Sequence, residues 1–228
     1  MSELGTVIVT GGASGLGAAV AAAVALRGGT PVVFDLNPPA DGFEFERVDL
    51  ARARDAEAAV RRVAERHGGL NGAVTAAGVD SCGRIEEVEP DQWDRVVAVN
   101  LIGTAAIARA ALPYLERSSG RLVTVASTLG LRVLSDATAY CASKFGVVGF
   151  SRALAVETAG RVGVTCLIPG GMQTAFFDGR AEQYKPPADA VLAAPGEVAE
   201  TVLFALTRPP GTEVRELIVT TSTESSWP

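Results

Sequence analysis

The sequence predicts an α/β fold: a single domain with a doubly wound parallel sheet of about seven strands and helices on both faces. Three observations carry that expectation. Strand-like and helix-like segments alternate along the chain, the order that sets parallel strands beside crossover helices. The strand segments read as continuous apolar runs, which means burial on both faces. The 228 residues, 48% hydrophobic and 20% charged, contain no linker that would divide them, so 1–228 reads as one domain with a sizeable core.

The elements follow in order. Thr6-Val-Ile-Val-Thr10 is a β-branched run, succeeded by a glycine-rich turn and an Ala-rich helix over 15–27. Residues 31–34 form a second strand, and 43–50 hold a third with Asp49 near its end. Over 51–67 the residues Ala53, Ala56, Val60 and Val63 make one apolar helix face. The opposite face, with Arg52, Arg54, Glu57, Arg61, Arg62 and Glu65, is expected to be solvated. Then come a strand at 72–76, a helical region at 91–115, a strand at 121–126 and a long helix at 138–159. A strand at 162–168 is stopped by Pro169-Gly170. The irregular stretch 174–194, with Lys185-Pro-Pro-Ala188, reads as a substrate loop. A helix at 195–207, with Pro195 in its first turn, and a strand at 217–220 complete the set.

Composition narrows the function. The net charge is −6 with no basic cluster, which argues against nucleic acid or an anionic membrane as a partner. Three cysteines form no CxxC pair and there is one histidine, so no metal site is expected and the thiols read as reduced, in a cytoplasmic protein. Residues 4–26 carry no charge, but they hold five glycines and follow Glu3 rather than a basic segment. They read as strand, turn and buried helix, not as a signal peptide or membrane anchor.

Gly11, Gly15 and Gly17, with Ser14 and Leu16 among them, follow the first strand and open the first helix. Glycine there lets the backbone approach a pyrophosphate, and the helix N-terminus offers free N–H groups. Asp35 ends the second strand 24 residues after Gly11. A carboxylate there accepts from both ribose hydroxyls of NAD and repels a 2′-phosphate, and no Arg or Lys stands at Ser14, Leu36 or Asn37. The expected cofactor is NAD, with NADP the weaker alternative. Tyr140 and Lys144 lie four residues apart and so share one helix face.

Taken together, Thr10-Gly11-x-x-x-Gly15-x-Gly17, Asp49-Leu50, Asn100, Ser127, Tyr140-x-x-x-Lys144 and Pro169-Gly170 followed by Thr174 resemble the short-chain dehydrogenase/reductase family, small single-domain type, over almost the whole chain. The resemblance implies a Rossmann-like fold and hydride transfer between NAD(H) and a secondary alcohol or ketone. It implies a catalytic set of Asn100, Ser127, Tyr140 and Lys144. Tyr140 would act as general acid/base, Ser127 would orient the substrate oxygen, and Asn100 would hold a water that relays protons through Lys144, which also holds ribose hydroxyls. A tyrosine is a poor base because its pKa is about 10. An ammonium about 5 Å away at an effective dielectric of 20 stabilises the phenolate by roughly 3 kcal/mol, about two pKa units. Asp49 and Leu50 would meet the adenine, and the backbone of Ala76, Ala77 and Gly78 the ribose. Pro169, Gly170, Met172 and Thr174 would meet the nicotinamide amide.

Two departures from the family stand out. Thr75-Ala76-Ala77-Gly78 replaces the common Asn-Asn-Ala-Gly, so the bracing asparagines are gone. The tail 221–228 replaces an Asp-Gly-Gly turn, and it could pack on a neighbouring subunit, near the site or on its own surface. Residues 79–84, 129–134 and 174–192 are expected to line the substrate pocket. Leu129, Leu131, Val133, Phe176 and Phe177 suggest an apolar alcohol or ketone. The helices at 100–115 and 138–159 are apolar on more than one face, and the family's tetramers and dimers bury these two, so a homo-oligomer is expected. The alternative function is a non-catalytic NAD(H)-binding sensor on the same scaffold, which would have no need of the catalytic set.

Overall fold

Among the described residues seven parallel strands end along one edge, and the glycine turn, Asp35, Asp49, Ser127 and Pro169-Gly170 lie there. The computed structural model describes residues 4–224 and 226. The strands are β1 (Thr6–Thr10), β2 (Thr30–Asp35), β3 (Glu44–Arg47), β4 (Gly72–Thr75), β5 (Arg121–Val125), β6 (Gly163–Pro169) and β7 (Glu216–Val219). The sheet order is β3-β2-β1-β4-β5-β6-β7. Sequence order reverses between β1 and β4, and ligands of open α/β sheets bind at that kind of crevice.

The helices are α1 (Gly15–Leu26), α2 (Ala53–Arg66), α3 (Pro90–Val97), α4 (Thr104–Ser118), α5 (Thr138–Glu157) and α6 (Pro195–Leu206). One face of the sheet packs Val7, Val9 and Val74 against Val20, Val24, Val202 and Leu203 of α1 and α6. The other packs Ile8, Phe34 and Leu122 against Val60, Ile107, Leu115 and Leu154 of α2, α4 and α5. A third cluster, Ala126, Val147, Val148, Cys166 and Ile168, packs α5 against the ends of β5 and β6.

Three details depart from the sequence expectations. The edge strand β3 is not a continuous apolar run: Glu44 and Glu46 pair with Arg62, Arg66 and His67, charges suited to an edge that has only one neighbour. Glu57 is not solvated. It is 6% exposed and held by Arg54 at 2.7 Å and by Arg109 of α4, so it ties α2 to α4. Third, α3 and α4 are joined by a π-helical stretch, Ala98–Gly103, which carries Asn100. The run Pro90–Ser118 is long and apolar enough to cross a membrane. Here Ile107, Ala111 and Leu115 of that run are fully buried in the core beside the sheet.

Candidate active site

The glycine turn is shaped by steric need. Gly11 has φ +69°, and a Cβ there would lie 2.7 Å from the Cα of Ala77. A Cβ on Gly17 would collide with the carbonyl of Gly11. Among the described residues no side chain caps the N-terminus of α1, and no acidic residue sits in its first turn, so its leading N–H groups are available to an anion. Thr10 Oγ1 accepts from Ala77 N at 3.1 Å, which locks the β1 turn to the β4 turn. Thr75, standing where relatives often carry asparagine, has a buried hydroxyl with no hydrogen-bond partner among the described residues.

Asp35 lies at the end of β2. Its carboxylate accepts from Ala13 N at 3.1 Å, Leu36 N at 2.7 Å and Asn37 N at 3.1 Å, so it is aimed at the glycine turn. Asp49 accepts from Ala51 N at 3.0 Å, and Arg95 approaches its other oxygen at 3.5 Å.

Ser127 follows β5 and caps a short 3-10 turn, Thr128–Gly130, by accepting from Leu129 N at 3.1 Å. That bond uses a lone pair and leaves its O–H hydrogen to donate. Lys144, 3% exposed, donates to the carbonyl of Val125 at 2.9 Å, and its ammonium is 5.5 Å from the centre of the Tyr140 ring.

The titration of this pair corrects the sequence expectation. Burial pushes the Tyr140 phenol up to about 12, against a lowering by the Ser127 hydroxyl beside it. Burial also draws Lys144 down to about 8. The two-unit lowering expected from a nearby ammonium does not appear, because desolvation of the phenol dominates.

Gly11, Ser14, Gly15, Leu16, Gly17, Asp35, Leu36, Asp49 and Leu50 all line one cleft of about 1320 Å³. Ala76, Ala77, Gly78, Ser127, Tyr140, Lys144, Pro169, Gly170, Met172 and Thr174 line the same cleft. Asn100 is the exception. It is 1% exposed, accepts from Val79 N and donates to Val79 O, both at 2.9 Å, and donates to Ser143 Oγ at 3.0 Å. Its side chain pins the loop after β4 to α5 from behind Gly78 instead of facing the cleft. Leu131 also departs from expectation: it packs on the cluster beneath α5, while Leu129, Val133, Phe176 and Phe177 reach the cleft.

Asp80 and Arg180 lie in the stretches 79–84 and 174–192 expected to line the pocket, but their pairing, and the contacts of the tail described below, were not foreseen from the sequence. Asp80 and Arg180 form an ion pair at 3.0 Å with side chains 7% and 15% exposed. Glu224 accepts from Gly171 N at 2.8 Å, and Ser226 meets Thr128 Oγ1 at 2.7 Å, so part of the tail lies against the site. Ser225, Trp227 and Pro228 of that tail lie outside the described residues. Cys82, beside Asp80, is pushed up to about 11 by burial and that carboxylate, so its thiol stays protonated and inert at neutral pH.

The geometry is that of a dinucleotide-binding sheet with a Ser-Tyr-Lys group beside its crevice. The short chain dehydrogenase family model matches residues 5–185, and the chain belongs to that family. An uncharacterized oxidoreductase of Staphylococcus aureus (strain MRSA252) is 32% identical over 224 residues, covering 93% of this chain and 95% of that one. The short-chain dehydrogenase/reductase ABA4 of Pyricularia oryzae is 33% identical over 200 residues, 80% of this chain and 74% of its own length. Among solved structures, the ligand-free aldohexose dehydrogenase of Thermoplasma acidophilum superimposes with TM-score 0.87 at 24% identity, covering 94% of this chain and 92% of its own. An alcohol dehydrogenase of Thermococcus sibiricus, complexed with 5-hydroxy-NADP, gives TM-score 0.82 at 24% identity, covering 94% and 95%. The protein is thus an oxidoreductase, and its family implies a nicotinamide cofactor. The uncapped start of α1 and the glycines that leave no room for a Cβ fit such a group.

Proposed function

We propose that the protein interconverts a secondary alcohol and a ketone with NAD(H), with Tyr140 as general acid/base. The observation that carries this reading is the placing of Ser127, Tyr140 and Lys144 on one wall of the cleft that the glycine turn opens. A bound nicotinamide would supply or accept the hydride. Tyr140 moves the hydroxyl proton; its phenol, with its pKa pushed up to about 12, holds that proton at neutral pH and is ready to give it to a carbonyl oxygen. Ser127 donates to the same oxygen and keeps it facing the phenol. Lys144, fixed by Val125 O, would hold ribose hydroxyls and sets its positive field beside the phenol. Asn100 acts at one remove, by fixing the Val79 loop and Ser143.

Tyr140→Phe tests the mechanism. Turnover should fall by at least about a hundredfold while NADH binding stays nearly intact. Near-normal activity would refute it, and cofactor binding with no turnover of any carbonyl by the wild type would favour the sensor reading.

NAD(H) is proposed over NADP(H) because the Asp35 carboxylate stands at the end of β2 where a 2′-phosphate would be repelled. Turnover with the two cofactors compared checks this, and a clear NADP preference sinks it. The substrate is proposed to have an apolar body, supported by Leu129, Val133, Phe176 and Phe177 on the cleft wall. A homo-oligomer, tetramer or dimer, is supported by a stripe on α5 in which Ala142, Phe145, Gly149, Ala153 and Val156 are all exposed. Light scattering that gives a stable monomer would contradict it. The free thiols Cys82, Cys141 and Cys166 are consistent with the reducing cytoplasm, which fractionation of the source cells would check.

A further inference from the structure

Charges buried to this degree are rare unless they are paired, and a buried pair is weak evidence for stability because desolvation offsets the attraction. Asp80 and Arg180 form one at the substrate end of the cleft. Asp80 comes from the loop after β4, and Arg180 from the loop between β6 and α6. The Arg180 guanidinium lies 4.6 Å from the centre of the Phe176 ring and 4.8 Å from that of Phe177. The Phe176 ring is in turn 5.6 Å from the Tyr140 ring. The pair therefore stands one aromatic ring away from the phenol.

The hydrogen bonding of the pair is incomplete. Asp80 accepts from Ser81 N at 2.7 Å and from Cys82 Sγ at 3.3 Å. Arg180 Nη2 is near enough for an ion pair with Asp80, yet it is buried without a well-aligned hydrogen-bond acceptor among the described residues. A guanidinium has five N–H donors and a carboxylate about four acceptor sites, so both groups keep capacity. Asp80 meets part of the demand of Arg180, and a ligand hydroxyl in the cleft that both residues line would meet more of it.

We propose that Asp80 and Arg180 form a substrate-recognition subsite that reads a neutral hydroxyl group on the ketone or alcohol. The argument rests on the activity proposed above. The pair presents an acceptor and a donor side by side with no net charge. A carboxylate would gain from Arg180 and lose to Asp80; an ammonium would do the reverse. A hydroxyl donates to Asp80 and accepts from Arg180, so it satisfies both. The surrounding Leu129, Val133, Phe176 and Phe177 take the apolar body, and the polar pair fixes which way that body points. The expected substrate class is a hydroxyketone, or the corresponding diol, on an apolar frame.

The test compares acetophenone, 2-hydroxyacetophenone, 3-hydroxypropiophenone and the anion benzoylformate, followed by oxidation of NADH or NADPH. The variants are Arg180→Met, Asp80→Asn and the double variant, which removes both charges together and covers failure of a single variant to fold. The wild type should prefer at least one hydroxyketone over acetophenone by about tenfold or more in kcat/KM. That ratio should fall towards one in the variants, because general damage lowers all four substrates alike and leaves it unmoved. A wild-type ratio near one, or a ratio the variants do not change, overturns the subsite. A preference for benzoylformate that is lost with Arg180 overturns its neutral character. Turnover of none of the four while NADH still binds tells against the ketone reading itself, and the subsite falls with it.

Discussion

The two halves of the cleft are built from different materials. On the β1–β2 side, recognition is made by backbone: a glycine turn, an uncapped helix start, and Asp35 held by three amides within or next to the strands that carry it. On the other side it is made by side chains from distant loops: Asp80 after β4, Phe176 and Arg180 after β6, and the tail with Glu224 and Ser226. The first half has little freedom to change without losing its cofactor. The second can change its substrate by changing single side chains while the sheet stays intact.

The largest expected effect lies in the rigid half. Gly17→Val adds a branched side chain where even a Cβ meets the Gly11 carbonyl. The turn has to open or α1 has to retreat, so NADH binding should be lost altogether, read by cofactor fluorescence titration. Retained binding would show that the turn yields as easily as a loop, and the contrast between the halves would collapse.

The same contrast explains what the sequence made legible. The parallel sheet was readable because strands buried on both faces are apolar throughout and glycine turns follow them; β3 escaped that pattern because an edge needs charge. Nineteen of the twenty site residues named from motifs border the cleft, since cofactor recognition depends on backbone shape at fixed offsets. Asp80 and Arg180 fall in stretches expected to line the pocket, but their pairing was invisible because they are 100 residues apart and neither sits in a periodic pattern. The upward shift of Tyr140 was missed for a different reason: spacing reveals the nearby Lys144, but burial is a property of the assembled loops.

Lys144 joins the two halves and gives a prediction of intermediate size. Its pKa is drawn by burial from the ordinary 10.5 to about 8. Between those values the unfolded chain binds more protons than the folded one, so stability rises with pH there. The cost of the buried charge is fully present below pH 8. Lys144→Met should therefore remove a rise of up to about 1.4 kcal/mol per pH unit. Urea unfolding of both proteins at pH 7.5 and pH 10 checks it. The wild type should gain relative to the variant on going to the higher pH. Parallel behaviour would mean that Lys144 keeps its charge and that its field on Tyr140 is stronger than burial.

The smallest effect is expected at the tail. Burial of Glu224 works to raise its carboxyl, but bonds from Gly171 N and from the Ser226 hydroxyl and amide outweigh it and hold the pKa below the ordinary range. A depressed carboxylate stabilises above its unfolded pKa and loses that contribution only as pH falls through the folded value, so at neutral pH the contact is complete. Glu224→Gln keeps an acceptor oxygen and removes the charge, which should weaken the hold on Gly171 by about 1 kcal/mol. Gly171 lies between Gly170 and Met172 on the cleft wall. A rise of a few fold in KM for NADH, with kcat and thermal stability little changed, would mark the tail as part of the cofactor wall. A change confined to thermal stability would make it a fastening of the β6 end alone, and the substrate half would then owe nothing to its last residues.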